Sequence, residues 1–206
     1  ASTTSSGASK VVATGQVSVT GDWTTLSGDL TIISFADDID LNNNVVTKTG
    51  LLHLQTVGHL QLGSGRTLTS AGSLTVVAAS TTSSGASKVV ATGQVSVTGD
   101  WTTLSGDLTI ISFADDIDLN NNVVTKAGLL HLQTVGHLQL GSGRTLTSAG
   151  SLTVVAASTT SSGASKVVAT GQVSVTGDWT TLSGDLTIIS FADDIDLNNN
   201  VVTKAG

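Results

Sequence analysis

The sequence predicts an all-β fold of the parallel β-helix type, in which the backbone winds as a β-solenoid. Three observations support this prediction: a long tandem repeat, short runs in which apolar and polar residues alternate, and a glycine at the end of many of those runs. The composition agrees, because Thr, Ser, Val, Leu and Gly dominate while Pro, Cys and Met are absent. β-Branched side chains pack well on a pleated surface.

The tandem units are nearly identical. The segment Ala1–Lys10 recurs at 79–88 and 157–166, and the second unit differs from the first only where Ala127 replaces Thr49. Such identity is typical of recent tandem amplification or of a designed array. We therefore predict one continuous solenoid over residues 1–206, a window on a longer array. Its tandem units are 1–78, 79–156 and a partial third unit, 157–206.

Glycines mark four joints in each unit, and an alternating strand follows every joint. After Gly50, for example, Leu52 and Leu54 lie two residues apart, which is the period of a strand with one buried face. Glycine suits such a corner because it adopts sharp turns and positive φ without steric cost. In the first unit the four joints are Gly15, Gly28, Gly50 and Gly72.

Turn-forming residues separate the remaining strands. The stretches 20–22, 42–44 and 63–66 are rich in Gly, Asn and Asp, which favour turns. Strand, turn, strand, glycine corner, a third strand and a short return together form one circuit, which carries the chain from Leu52 to Leu74. We predict three faces per circuit, with each strand stacked about 4.8 Å from its equivalent in the next coil. Aliphatic side chains are expected to point inward, and Thr and Ser outward.

The joints are unevenly spaced along the chain. Gly28 follows Gly15 closely, whereas Gly50 and then Gly72 each follow only after a whole circuit. The irregular part is Ala1–Thr14 and its copies. Either this segment is an excursion from a three-coil unit, or it completes a fourth, shorter coil. The four joints favour about four coils per unit.

Two stretches carry a family resemblance. The first, 38–54, contains the strands I-D-L and L-H-L, and the second, 67–76, reads T-L-T-S-A-G-S-L-T-V. This pattern resembles the repeats of filamentous-haemagglutinin-like proteins, in which such strands recur about every 20 residues. The resemblance covers the whole chain. It implies a right-handed parallel β-helix, export by a two-partner route, and roles in adhesion, biofilm or contact-dependent competition.

Charge and composition argue against several partners. The formal net charge is −7, whereas a nucleic-acid-binding surface needs Lys and Arg opposite the phosphates. The same charge argues against binding to an anionic membrane surface, and no apolar run approaches the ~18 residues that predict membrane insertion. Because Cys is absent, the sequence predicts no disulfides and no thiolate metal ligands.

The densest polar cluster of the unit contains Asp37, Asp38 and Asp40, followed by Asn42–Asn44. Oxygen ligands at this spacing are typical of Ca²⁺ sites, so these three carboxylates are the candidate calcium ligands. The sequence suggests no cofactor. The alternative is a solvated turn at a corner.

Four other side chains in each unit are candidate site residues. His53 and His59 are spaced to straddle a turn and bind a metal, but His53 alternates with leucines and is expected to face solvent. Trp23 and its copies are expected to fill a widened corner of the core, and Phe35 is likewise expected inside. The spacing of Ser, His and Asp does not predict a nucleophilic triad.

We therefore predict a structural protein and no enzyme: a rigid fibre or stalk segment of a secreted or cell-surface bacterial protein. Expected partners are further copies of the chain, end to end or side by side, because open strand edges promote association. The alternative is an adhesin whose outward Thr, Ser and Asp side chains bind surface glycan or protein multivalently. An enzyme built on a β-helix is third, since copying would repeat its groove in every unit.

Overall fold

In the computed structural model, which describes residues 2–204, the chain forms 25 strands and, within that range, no helix. The strands pair in parallel into one continuous sheet, which confirms the predicted all-β solenoid. The strands that begin in the first unit are β1 (Thr3–Ser5), β2 (Ser9–Ala13), β3 (Val17–Val19), β4 (Trp23–Thr25), β5 (Leu30–Ser34), β6 (Ile39–Leu41), β7 (Val45–Thr47), β8 (Leu52–Thr56), β9 (His59–Leu62), β10 (Arg66–Ser70) and β11 (Leu74–Ser83).

The same pattern continues through the later units. The strands that begin in the second unit are β12 (Ser87–Ala91), β13 (Val95–Thr103), β14 (Leu108–Ser112), β15 (Ile117–Leu119), β16 (Val123–Thr125), β17 (Leu130–Thr134), β18 (His137–Leu140), β19 (Arg144–Ser148) and β20 (Leu152–Ser161). Those of the third unit are β21 (Ser165–Ala169), β22 (Val173–Thr181), β23 (Leu186–Ser190), β24 (Ile195–Leu197) and β25 (Val201–Thr203).

Each strand pairs with a strand one circuit further along the chain. Thr3 pairs with Trp23, for example, and Leu52 pairs with Leu74 as the sequence predicts. About ten coils are stacked in this way. The repeated pairing divides the solenoid into three columns of strands, which we call the first, second and third faces.

The faces are defined by their strands. The first face carries β1, β4, β7, β10, β12, β14, β17 and β24; the second carries β2, β5, β8, β15, β18 and β25; and the third carries β3, β6, β9, β16, β19, β21 and β23. Four longer strands bend around a corner. Strands β11 and β13 begin on the second face and end on the third. Strands β20 and β22 begin on the first face and end on the second.

Inward side chains form aliphatic ladders along the solenoid. On the second face Ile32, Leu54 and Val76 stack on one another, and all three are buried. The next coil supplies that burial. Ile117 has an exposed fraction of 0%, whereas its sequence equivalent Ile195, in the last coil described, has one of 42%. The same residue is therefore buried only where a further coil covers it.

The prediction that Ser and Thr point outward is wrong at the ends of strands. Ser34, Thr47, Thr56 and Ser70 each end a strand with an inward side chain that is at most 4% exposed. Their hydroxyls bond to the corner that follows. Thr47 Oγ1 donates to the carbonyl of Gly50 at 2.8 Å, for example. Short polar side chains bond to nearby backbone in this way, which satisfies them inside the core.

The tryptophans behave as predicted. Trp101 and Trp179 are fully buried, and Trp23, near one end of the described chain, is partly buried. Trp101 stacks on Thr81 of the preceding coil, and Ser83 points inward on the same strand as Thr81. These small side chains leave room for the indole, so that the interior stays close-packed.

The prediction that Phe35 lies in the core is wrong. Phe35 is 56% exposed and follows β5 at a corner. The preceding residue, Ser34, points inward to donate a hydrogen bond to the Gly15 carbonyl at 2.9 Å. Because successive side chains of an extended chain point to opposite sides, the next residue is directed into solvent.

Glycines stack on glycines at one corner. The backbone N–H of Gly72 donates to the carbonyl of Gly50 at 3.0 Å, and that of Gly93 donates to the carbonyl of Gly72 at 3.1 Å. A Cβ on Gly50 would clash with the carbonyl of Gly28. The close backbone approach therefore requires glycine. We call Gly28, Gly50, Gly72 and Gly93 the glycine column; it confirms the predicted corners.

The irregular segment belongs to the solenoid. In its second copy, 79–92, β11 continues to Ser83 and β12 pairs with β10 on one side and β14 on the other. This supports a coil and not an excursion. Ala1, the first residue of the first copy, lies outside the described residues.

Candidate functional surfaces

The three candidate calcium ligands lie where the third face begins. Asp38 Oδ1 accepts the backbone N–H of His59 at 2.7 Å, and Asp37 Oδ1 accepts that of Asp38 at 2.8 Å. Asp40 Oδ2 accepts from Gln16 Nε2 at 2.6 Å. Within residues 2–204, no group of three or more His or Asp side chains is arranged to hold a metal ion. The calcium site stays a prediction.

The column around Asp40 contains unlike side chains. Asp40 pairs with Ser18 on one side and Gln61 on the other, so its carboxylate does not stack on another carboxylate. In the second unit the equivalent residue is Asp118. Burial raises the pKa of Asp118, and the neighbouring Asp116 and Asp115 raise it further, while a hydrogen bond from Gln94 lowers it. The charged carboxylate is disfavoured there by desolvation and by like charge.

Aspartates also join consecutive coils. Asp22 Oδ1 accepts the backbone N–H of Asn44 at 3.0 Å, and Asp29 Oδ1 accepts that of Leu51 at 3.0 Å. Together with Asp38, three of the five aspartates in the unit accept a backbone N–H from the next coil. This role was not predicted from the sequence. The feature of the sequence that could have revealed it is the spacing: each aspartate lies one circuit before the residue whose N–H it accepts.

The histidines lie on the outer surface. His53 lies between the buried Leu52 and Leu54 and points outward, as predicted. The exposed His59 has its Nδ1 2.7 Å from Ser80 Oγ of the next coil. This pair recurs in the second unit and was not predicted from the sequence, although its residues are also one circuit apart. Asp38 contacts the backbone of His59 and not its ring, so the three side chains are not connected as a triad.

Two equivalent clefts open where consecutive units meet. The first has a volume of about 250 Å³, and its lining includes Arg66, Thr67, Ser87, Lys88, Asp107 and Thr109. The second has a volume of about 260 Å³, and its lining includes Arg144, Thr145, Ser165, Lys166, Asp185 and Thr187. We call these the junction clefts, because each combines residues from two units.

No protein-family model matches this chain, and neither the curated proteins nor the solved structures contain a match to it. The fold itself defines the class: a parallel β-helix protein with a tandem repeat. Residues 2–204 include no helix of the length and apolarity needed to cross a membrane.

Proposed function

We propose that this chain is a segment of a structural fibre, a rigid stalk or filament of a secreted or cell-surface bacterial protein. The observation that carries this proposal is the continuity of the solenoid across unit boundaries. Five residues of β10 pair with five residues of β12 across the first boundary, as many as β5 pairs with β8 inside the unit. The fibre is similar in design to filamentous-haemagglutinin-like repeats, in which stacked coils form a long shaft.

The bonding pattern supports a stiff rod. Backbone hydrogen bonds run along the long axis from coil to coil, and the aspartate and glycine contacts add to them at the corners. A hinge needs a segment with few inter-coil bonds. Because boundary and interior are paired alike, bending is expected to be resisted evenly along the array.

We propose no catalytic role. The exposed His59 and the partly buried Ser80 lie on strands β9 and β11, and neither residue lines a junction cleft. An active site requires groups held together around a substrate. Copies of the chain, end to end or side by side, are the partners that a fibre of this kind needs.

Small-angle X-ray scattering on this chain and on versions extended by one, two and three units tests the fibre. The maximum dimension is expected to grow linearly, by about 18 Å per unit, since coils stack at about 4.8 Å. Electron micrographs should show straight rods. A radius of gyration that instead follows the compact scaling of globular domains contradicts the proposal.

The second candidate function is a multivalent adhesin for glycan or protein. The two junction clefts favour it, because equivalent sites repeated along a rod give avidity. Binding to a glycan array that rises with the number of units is the expected result. Rods that form without any glycan response would support the purely structural role.

A further inference from the structure

Equivalent residues of successive units lie on different faces. Trp23 pairs with Val45 on the first face, and Trp101 pairs with Val123 on the third. Trp179 pairs with Val201 on the second face. The units are therefore stacked and also rotated about the long axis relative to one another.

We infer that one unit advances the chain by eleven strand segments, which is three coils and two further faces. The eleven segments are β1 to β10 and the part of β11 that pairs with β8, after which Thr81 repeats the place of Thr3 in the unit. Eleven is not divisible by three. A unit thus fills eleven-thirds of a coil, where the sequence predicted about four, and each unit starts on a different face.

The glycine column gives independent support. Its members follow one another at intervals of one circuit, so they stay on one corner. The next joint after Gly93 is Gly106, and it comes too early in the sequence to complete a further circuit. Gly106 lies instead beside Gly128, at the start of a new column on another corner. The joints are unevenly spaced in the sequence because the glycines change from one corner to another between Gly93 and Gly106.

Every face of a long array therefore carries the same ladder of outward side chains. On the second face it reads Lys10, Thr31, His53, Thr75, Ser96 and Asp118. On the first face it reads Lys88, Thr109, His131, Thr153, Ser174 and Asp196. The ladders are displaced along the axis by about 18 Å per unit.

This arrangement decides which partners the surface fits. A given patch returns to the same face only after three units, or about 53 Å. A flat partner on one side meets an equivalent patch once in three units. A partner that surrounds the rod, such as a bundle of further copies, meets an equivalent patch at every unit.

Helical image analysis of an array of nine or more units tests this screw, the combined rise and rotation from one unit to the next. The expected symmetry is a rise of about 18 Å per unit with a rotation near 120°, beyond any twist of the solenoid itself. A unit of four whole coils would give a rise of about 19 Å without that rotation, and this result would overturn the inference.

A cysteine pair tests the register in the present chain. Thr67 pairs with Lys88, so T67C/K88C is expected to form a disulfide across adjacent coils. The control T67C/T109C spans two coils, about 10 Å, and should stay reduced. If 79–92 were an excursion, neither pair would oxidise, and the eleven-segment count would be wrong.

A second inference concerns the junction clefts and rests on the adhesin alternative above. Each cleft joins an arginine and a threonine of one unit to a serine, a lysine and an aspartate of the next, so a single unit does not complete it. Arg66 Nε and Ser87 Oγ are buried and have no hydrogen-bond partner among the described residues. The same holds, within residues 2–204, for Arg144 Nε and Ser165 Oγ.

These features assign a carboxylate-bearing saccharide to each junction cleft. A buried guanidinium N–H that lacks an acceptor, beside an exposed lysine, matches an anionic group. The Thr67 and Thr109 hydroxyls and the Asp107 carboxylate suit sugar hydroxyls. The net charge of −7 disfavours a polyanion, and the cleft volume accommodates a single acidic sugar.

Titration of this chain with glucuronate, followed by NMR or calorimetry, tests the assignment. Two equivalents are expected to bind, and K88A/K166A should weaken binding at least tenfold. The matched control K48A/K126A removes the same charge outside the clefts and should bind as the unaltered chain does. Glucose should not bind.

Four results would overturn the saccharide assignment, the first three of which are comparisons of affinity. These three are equal binding of glucose, equal binding of acetate, and a K88A/K166A affinity that matches K48A/K126A. Saturation that fails at tens of millimolar glucuronate would do the same. The scattering test of the fibre is independent of these titrations, so loss of the ligand site and loss of the fibre are distinguishable.

Discussion

Buried hydroxyls at the ends of strands fix the corners of this solenoid. Ser148 Oγ donates to the carbonyls of Gly128 and Ser151, both at 2.9 Å, and accepts from Thr125 Oγ1 at 3.1 Å. The Gly128 and Ser151 carbonyls also accept backbone N–H groups, and Thr125 Oγ1 also donates to Gly128, so removing the Ser148 hydroxyl loses buried hydrogen bonds without leaving a partner unsatisfied.

Ser148→Ala is therefore expected to lower the free energy of unfolding by about 0.5–1.5 kcal/mol, the net contribution of a typical hydrogen bond. Urea denaturation followed by circular dichroism measures it, with the transition fitted to a nearest-neighbour scheme. The adjacent, outward Thr147→Ala is the control and should change the free energy by less than about 0.5 kcal/mol. Equal effects of the two substitutions would contradict the role of the hydroxyl.

The two kinds of large aromatic side chain allow a second comparison. Trp101 is fully buried and Phe113 is largely exposed. Trp101→Ala leaves a cavity and is expected to destabilise the chain by about 3–5 kcal/mol. Phe113→Ala should cost less than about 1 kcal/mol in the same thermal or urea melt. A larger loss from the phenylalanine would mean that the corner packs differently in solution.

The stability of the fold is expected to depend on pH through the Asp118 carboxylate. Its pKa is raised in the folded chain, so the charged form destabilises the fold at neutral pH, and this penalty disappears as the pH falls below the raised pKa. Asp118→Asn is expected to raise stability at pH 7, by less than about 1 kcal/mol because solvent screens the partly exposed group. The gain should vanish in acid. Melts across pH 3–8 measure it; a variant that is less stable at pH 7 would refute the prediction.

At the scale of the strand and its corner, glycine is required only where backbones touch. A Cβ on Gly128 would clash with the carbonyl of Gly106, whereas a Cβ on Gly15 would meet nothing within 4 Å among the described atoms. Gly128→Ala is expected to cost at least about 1 kcal/mol. Gly15→Ala should be neutral or stabilise by up to about 1 kcal/mol, since it restricts the unfolded chain. Thermal melts of both variants check this; the reverse order would show that the glycine column is looser than described.

The strands themselves were predictable from the sequence, while their polar contacts were not. Alternation around Leu52 and Leu54 identifies a strand with one buried face without any structure. The contact between Asp29 and Leu51 becomes visible only once the circuit length is known, because the two residues lie one coil apart. The exposure of Phe35 also depends on a neighbour, the inward Ser34, which the alternation of aliphatic residues does not reveal.

At the scale of the whole molecule, the screw explains how identical units coexist in one solenoid. Each interior unit contacts the end of the unit before it and the start of the unit after it, whichever face it begins on. Equivalent residues therefore meet nearly identical neighbours: Leu60 stacks on Thr81 as Leu138 stacks on Thr159. An array of identical copies is thus free of mismatched boundaries.

The sequence by itself determined the strands, the glycine corners and the length of a circuit, because these depend on residues close together in the chain and on their period. The tertiary structure decided the burial of each ladder, the polar corner contacts and the rotation between units. Ile117 and Ile195 make the reason plain: their local sequences are the same, yet only one is covered by a further coil. Burial here belongs to the stack of coils and not to any one segment.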